Sequence, residues 1–391
     1  MSDIKRIYMD YNATAPISKP VRDFFVQELD FFANGSSLHE DGRTVGKHLE
    51  KARSQVAALI NAEPSEIIFT SGGSESNNTV FNSMISYSEK NGRKLIVTSS
   101  IEHPCVIESS KRLADFGFDV QRLGVDAYGV VDMAAYKKLL EKKPLIVSIM
   151  TANNEIGTIQ DIKTLAAMAH EAGALFHTDA VQAAGKIPVD VKDWNVDYLT
   201  ISGHKIYAPK GVGALFVKKG APVSPFILGG HQEHGLRAGT YNAPVIAAFG
   251  YAAELAKQNL AEYEKHTRAL RNKLRDGLLA KIPDIKINGH PEKVLPNTID
   301  ISFPGAEGEA ILLHLDLLGV SVSTGSACAS GSLEPSHVLL ATGLGPELAH
   351  GSIRFSFGLY SEESDVDYIL EKFPPVIENL RKMSTVYSAK K

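Results

Sequence analysis

Cysteine is nearly missing: Cys105 and Cys328 are the only two in 391 residues. Two thiols are too few for a disulfide framework, and a reducing compartment would keep both free. No run of about 18 apolar residues occurs, so no membrane-spanning helix is expected. The opening "MSDIKRIYMDYNATAP" lacks the apolar core of a leader peptide, and a cytoplasmic, unanchored protein is expected. Long basic runs are absent too, and a net charge of −4 argues against a general nucleic-acid binder. Internal repeats, low-complexity tracts and obvious linkers are also lacking. What is present is an ordinary globular composition, 44% hydrophobic and 22% charged, with enough chain for one large domain or two moderate ones.

From about residue 65, short β-rich runs alternate with helical patterns. "EIIFT", "KLIVTSS", "LIVSIM", "ALFHTDA" and "YLTISG" read as strands, with a strong helix at "DIKTLAAMAHEAG". The runs are almost continuously apolar, as strands covered by helices on both faces must be. Such alternation implies an α/β fold with a mainly parallel sheet. "GVGALFVKKG" reads as a further strand. After "HQEHGLRAGTYNAP" the order changes: one long amphipathic helix, roughly Val245 to Leu279, leads into "NTIDISF", "GEAILLHLDLLG" and "SIRFSFGLY". That suggests a smaller α+β domain. The expected division is a large domain over 15–260 and a small one made of 1–14 with 261–391.

In open α/β sheets, ligands bind beyond the carboxyl ends of the strands. The five strand ends lead into "SGGSESNN", "SIEHP", "TANNEIG", "TDAVQ" and "GHKIYAPKG", all rich in groups capable of chemistry. Gly73 and Ser74 would present backbone N–H groups at a helix N-terminus, a site for phosphate, although the turn lacks the Gly-Lys-Ser/Thr of a nucleotide loop. Ser71 or Ser74 as an ordinary helix cap is the plain alternative. Lys205 follows an apolar strand directly, so it is either a surface charge or a desolvated amine fit for Schiff-base chemistry. Ser202 and His204 beside it could donate to a phosphate.

His177 and Asp179 share a strand face by the two-residue period. Asp179 could serve as counter-ion to a protonated pyridine ring, with Gln182 on the ring's phenolic oxygen, or it could simply cap the next helix. A metal site of His177, Asp179 and His231 or His234 is a rival, but the spacing matches no common zinc pattern. His103 could stack on a planar cofactor and shuttle protons, or be a satisfied loop histidine. Arg354 lies in an apolar strand pattern and needs a carboxylate or phosphate partner unless it sits on an exposed edge. Cys328, in "STGSACASGSLEP", stands on a Gly/Ser-rich loop with little bulk around it, whereas Cys105 reads as a small buried filler.

A phosphate turn, a carboxylate, a Schiff-base lysine and a stacking histidine together describe a pyridoxal 5'-phosphate site. The chain resembles the NifS/IscS-like cysteine desulfurases, class-V members of the fold-type I pyridoxal phosphate enzymes. The likeness runs through "YMDYNATAP", "NGSSLHEDGR", "TSGGSESNN", "ANNEIGTIQDI", "HTDAVQAAGKIPVD", "SGHKIYAPKGVGAL", "STGSACASGSLEPS" and "ELAHGSIRFSFG".

The resemblance implies a large domain with a seven-stranded, mainly parallel sheet. It implies that Lys205 binds the cofactor covalently, Asp179 pairs with the ring nitrogen, Gln182 and Asn154 contact the ring oxygen and His103 stacks. It assigns the phosphate to Gly73, Ser74, Ser202 and His204. Thr240 in "LRAGT" would reach the partner's phosphate in a homodimer. Arg354, with Asn12, would bind the carboxylate of L-cysteine, and Cys328 would carry the sulfur as a persulfide to an iron–sulfur scaffold or a tRNA-thiolation protein. "STGSACAS" matches the subgroup with the longer loop. A selenocysteine lyase or another class-V aminotransferase or lyase is the alternative within the fold; a metal hydrolase and a non-catalytic sulfur-assembly scaffold are alternatives outside that chemistry.

Overall fold

The computed structural model describes residues 6–324, 334–384 and 387. Its strands in chain order are β1 (Ile7–Tyr8), β2 (Ile67–Thr70), β3 (Leu95–Ser99), β4 (Asp119–Leu123), β5 (Ile146–Ser148) and β6 (Leu175–Asp179). There follow β7 (Tyr198–Ser202), β8 (Gly213–Val217), β9 (Lys286–Asn288), β10 (Thr298–Ser302), β11 (Val320–Ser321) and β12 (Ser352–Ser356).

The main sheet has seven strands in the order β2-β8-β7-β6-β5-β3-β4. Only β8 runs against its neighbours, β2 and β7; the other pairs are parallel. Every residue of β2, β3, β5, β7 and β8 is buried, which is why the sequence shows them as apolar runs without alternation. The edge strand β4, "DVQRL", has only Leu123 buried. An edge strand covered on one side carries no such signal, and the sequence pattern passes over it.

Helix Glu40–Leu59 packs against helix Ala243–Gln258 on one side of this sheet, and the two meet closely at Gly250, where a Cβ would run into the backbone of Ala52. The expected single helix from Val245 to Leu279 is two: Ala243–Gln258 and Leu260–Lys281. Asn259 lies between them at φ −103°, ψ 10°, with its side-chain Nδ2 donating to Leu255 O at 2.8 Å. Its backbone N–H also donates to Leu255 O, at 3.0 Å, so backbone and side chain together close the first helix on one carbonyl before the second begins.

A second apolar core, containing Met9, Leu274, Ile301, Phe303, Phe355 and Phe373, surrounds a three-stranded antiparallel sheet ordered β12-β10-β9. β1 pairs in parallel with β11, 313 residues away from Ile7 to Val320, so the start of the chain belongs to this end of the molecule. The bridge Asp10–Ser356 then lays the segment after β1 along β12, and Ser323–Arg354 does the same for the segment after β11. Among the described residues, no helix is long and apolar enough to cross a membrane.

Candidate active site

A cavity of about 280 Å³ lies where segments following β2, β3, β5, β6 and β7 meet the turn after β1. Its lining includes Asn12, Gly73, Ser74, His103, Cys105, Asn154, Asp179, Gln182, Ser202, His204, Lys205 and Arg354. Residues scattered over 343 positions of sequence therefore share one wall. A larger recess, about 620 Å³, is lined by Glu307, Glu309, Glu334 and Glu347. Those carboxylates would repel a phosphate or a carboxylate substrate, so size does not decide between the two.

β7 ends in a tight turn, Gly203–Lys205, closed by Gly203 N–H donating to Val212 O at 3.0 Å. The turn delivers Lys205 into the cavity instead of bulk solvent. Its Nζ donates to Asn12 O at 2.5 Å and Ala13 O at 2.7 Å. His204 next to it is pushed down to about 3, first by burial and then by the Lys205, Lys210 and Lys186 cations. A neutral imidazole results, with Nδ1 3.1 Å from Thr14 Oγ1.

Asp179 ends β6 and is only 5% exposed. Its Oδ1 accepts from Val181 N at 2.9 Å, and its Oδ2 accepts from Asn77 Nδ2 at 2.8 Å. The first bond is the local capping suggested by the sequence; the second fixes the carboxylate where it borders the cavity. Asn77 Nδ2 also lies 3.2 Å from Cys105 Sγ, while Asn77 Oδ1, buried, has no partner among the described residues.

His103 caps the helix Pro104–Arg112 and accepts from Cys105 N at 3.2 Å through Nδ1. A neutral ring that accepts at Nδ1 carries its proton on Nε2. Burial lowers its pKa below the usual histidine range, Asp179 opposing. Cys105 Sγ lies 3.0 Å from the same Nδ1, and burial, reinforced by Asp179, pushes that thiol up to about 12. Cys105 is only in part the small buried filler expected from the sequence: it packs on an apolar core, but it is partly exposed and lines the cavity beside the imidazole as a protonated thiol.

Helix Gly73–Asn91 starts at the cavity with no side-chain cap. Gly73 has no room for a side chain, since a Cβ would stand 2.9 Å from Val181 Cγ2. The turn is braced by Glu75, which accepts from Ser71 N at 2.8 Å and pairs with Arg237 at 2.9 Å. A 19-residue helix with free first-turn N–H groups, Ser74 and Ser202 around it, makes an anion cradle.

Opposite, Arg354 on β12 is 3% exposed, donating from Nη2 to Asp10 Oδ1 at 2.6 Å and from Nη1 to Asn154 O at 2.9 Å. Its buried Nε has no partner among the described residues. Asn12 is fully engaged: Nδ2 donates to Thr298 Oγ1 at 2.8 Å and Asn154 O at 3.1 Å, and Oδ1 accepts from Lys186 and Asn297. Gln182 donates from Nε2 to Asn12 O at 2.9 Å.

Two expected residues stand apart. Thr240 lines a separate recess with Ser71, Glu233 and Arg237, outside the Lys205 cavity. Cys328 lies outside the described residues. The rival metal reading fails on geometry: His177 is fully buried with Nδ1 2.7 Å from Ser148 Oγ and Nε2 3.2 Å from Thr200 Oγ1, so neither nitrogen is open to a metal. Burial pushes that ring down to about 3. The sequence pattern missed Asn77, Lys186 and Asp10. Asn77 lies within the "SGGSESNN" after β2 and Asp10 two residues past β1, but each works behind the cavity lining, on Asp179 and Arg354, as Lys186 does on Gln182, and only the fold brings them there.

The donor set fits pyridoxal phosphate: an amine, a carboxylate held for a ring nitrogen, an imidazole, a helix N-terminus, and an arginine with a spare N–H. The family model "Aminotransferase class-V" matches residues 7–369. A cysteine desulfurase of Gluconacetobacter diazotrophicus is 48% identical over 97% of this chain and 95% of its own length. A cysteine desulfurase IscS of Dictyoglomus turgidum is 47% identical over 97% and 96%. A solved NifS-like protein superposes with a TM-score of 0.90 at 38% identity, covering 96% of this chain and all of that one. The chain belongs to the class-V aminotransferase family and, within it, to the cysteine desulfurases of the NifS/IscS kind.

Proposed function

We propose that the chain converts L-cysteine to L-alanine and carries the released sulfur as a persulfide on Cys328 to an acceptor. The observation that supports this most is the meeting of Lys205, Asp179, His103 and the Gly73 helix end on one cavity, with Arg354 facing them.

When bound, pyridoxal 5'-phosphate supplies an electron sink conjugated to the substrate's Cα. The chain's own groups do the rest. Gly73, Ser74, Ser202 and His204 hold the phosphate, and Asp179 holds the ring nitrogen in its protonated form. Gln182 and Asn154 face the ring oxygen, while His103 covers the ring. Arg354, with Asn12 holding Asn154 beside it, receives the substrate carboxylate through its spare N–H. Lys205 binds the cofactor at rest; once displaced by substrate, its Nζ takes the Cα proton. The Cys328 thiolate attacks the substrate sulfur, so one S–S bond forms as the Cβ–S bond breaks. The proton held by Lys205 and one from the cavity restore the hydrogen on Cα and complete the methyl group of alanine. Cysteine and one thiol thus become alanine and one persulfide, with no outside oxidant. His103, neutral with its pKa lowered, takes the Cys328 proton in this reading at Nδ1, which must first release the Cys105 N–H.

Thr240 serves the phosphate of a second copy in this reading, which makes the enzyme a homodimer. Phe32 and Leu38, each 89% exposed, and Leu228 at 79% support a covered surface. The division into 15–260 and 1–14 with 261–391 is supported by the two separate apolar cores. We place the enzyme in the cytoplasm, with an iron–sulfur scaffold or a tRNA-thiolation protein as acceptor.

The test mixes the purified protein with pyridoxal phosphate, L-cysteine and a thiol reductant, and follows visible absorbance, alanine and sulfide. Yellow protein with equal alanine and sulfide is expected. Cys328→Ser should keep the colour and lose sulfide, and Lys205→Ala should lose the colour. A protein that stays colourless with added cofactor overturns the reading.

A further inference from the structure

Beside the reactive amine lies a second buried lysine that the chemistry above does not use. Lys186 is 2% exposed, in the turn that follows Gln182 by four residues. Its Nζ donates to Gln182 Oε1 at 2.6 Å and to Asn12 Oδ1 at 3.0 Å. Both acceptors belong to residues that line the cavity. No carboxylate pairs with Lys186 among the described residues; the charged groups facing it are Lys205 and Arg354, with His204 nearby on the Lys205 turn. Burial, and then those two cations, push its amine well below the lysine range. The amine donates to both amide oxygens at once and is held between Gln182 and Asn12 as a donor.

The consequence falls on Gln182. A side-chain amide has an oxygen end and an NH₂ end, and either fits the same space. Here the oxygen points at Lys186 and the nitrogen at Asn12 O. Reversal would set amide N–H groups against the N–H groups of Lys186 and oxygen against the Asn12 carbonyl. Of the two Nε2 hydrogens, one goes to Asn12 O; the other has no partner among the described residues and is what Gln182 can offer to the cavity.

We infer that Lys186 is a positioning residue that fixes the Gln182 amide with its N–H end toward the cofactor's phenolic oxygen. The inference rests on the pyridoxal phosphate reading. A donor at that oxygen stabilises its anionic form and lowers the pH at which the nitrogen joined to Lys205 loses its proton. Asp179, His103 and His204 also face that centre; Lys186 acts on His204 as well, but a midpoint shift carried by His204 would persist in the Gln182→Leu background, whereas one carried by the Gln182 amide would not.

The test compares wild type, Lys186→Met, Gln182→Leu and the double variant. Two readouts are used: the dissociation constant of pyridoxal phosphate from apoprotein, and the midpoint of the pH titration of the bound cofactor's visible absorbance. Lys186→Met leaves Gln182 Oε1 buried without a donor, and the affinity should fall about tenfold. The midpoint should rise by about one pH unit. In the Gln182→Leu background the Lys186 change should have little further effect, because both act through the same amide. A purely structural role would add the same loss in both backgrounds and leave the midpoint alone. Thermal melting of the apoproteins checks folding. If Lys186→Met does not fold, Lys186→Gln, which keeps an N–H donor on a shorter stem, should shift the midpoint in the same direction by less. An unmoved midpoint, or additive effects, overturns the inference. A wild type with no visible band overturns the underlying function instead.

Discussion

Replacing Asp179 with asparagine should separate the chemistry of the site from its architecture. The carboxylate is 5% exposed and holds two bonds, from Val181 N and from Asn77 Nδ2. An asparagine keeps the shape and can still accept from Val181 N through its oxygen. Its new NH₂ then faces the NH₂ of Asn77, an unfavourable pairing, but Asn77 Oδ1 has no partner among the described residues. Turning the Asn77 amide over restores a bond to residue 179 at the loss of the weak contact to Cys105 Sγ. Stability should therefore change by about 1 kcal/mol or less, a shift of about 2 °C in Tm at most. Function should suffer far more. A hydrogen bond from a protonated ring nitrogen to a buried carboxylate is worth about 3 kcal/mol against a neutral acceptor, and each 1.4 kcal/mol is about tenfold in rate. The rate of alanine formation should fall on the order of 100-fold. The assay is kcat/KM for alanine release, paired with a melting curve. Activity within tenfold of wild type would refute the assignment, and so would a variant that melts far below it.

Other outcomes follow from the same geometry. Burial holds His103 below the usual histidine range, so the acid limb of the kcat/KM profile should lie below pH 6.5; in Asp179→Asn, where the opposing carboxylate is gone, His103 should titrate lower still, readable by NMR. Cys105, raised to about 12, holds only about one thiolate in 100,000 at pH 7, so iodoacetamide should label Cys328 and spare Cys105, as peptide mass mapping can show. Gly73→Val should weaken pyridoxal phosphate binding at least tenfold, because the added group meets Val181 where the helix end must approach the phosphate; equilibrium dialysis measures it. Arg53→Ala should cost about 3–5 kcal/mol in denaturant unfolding, since the Glu233 carboxylate that it grips at 2.8 Å would remain buried at 2% exposure without its guanidinium.

How much of this could be read from the chain alone depended on where each residue falls. Asp179, Ser202 and Lys205 sit at or just beyond strands whose apolar character is continuous, so the sheet and its ligand edge are visible together. Asn77 was hidden because it lies mid-turn in a helix, where a polar residue looks ordinary; its role exists only because β6 ends beside that helix. Nothing local in "AAGKIPVD" singles out Lys186, which is buried where it meets the segment around Asn12. Asp10 meets Arg354 across 344 positions, a pairing set by the parallel bridge from the chain start to β12. The reversed direction of β8 and the break at Asn259 were also invisible, since neither changes the apolar pattern. Local chemistry was legible, and the long-range contacts that orient it were not.

The central question is which amine takes the cofactor. Protein incubated with pyridoxal phosphate, reduced with borohydride and digested, should carry the phosphopyridoxyl group on the peptide containing Lys205, in near-stoichiometric yield. A label on Lys186, or one scattered over exposed lysines with Lys205 unmodified, would contradict it.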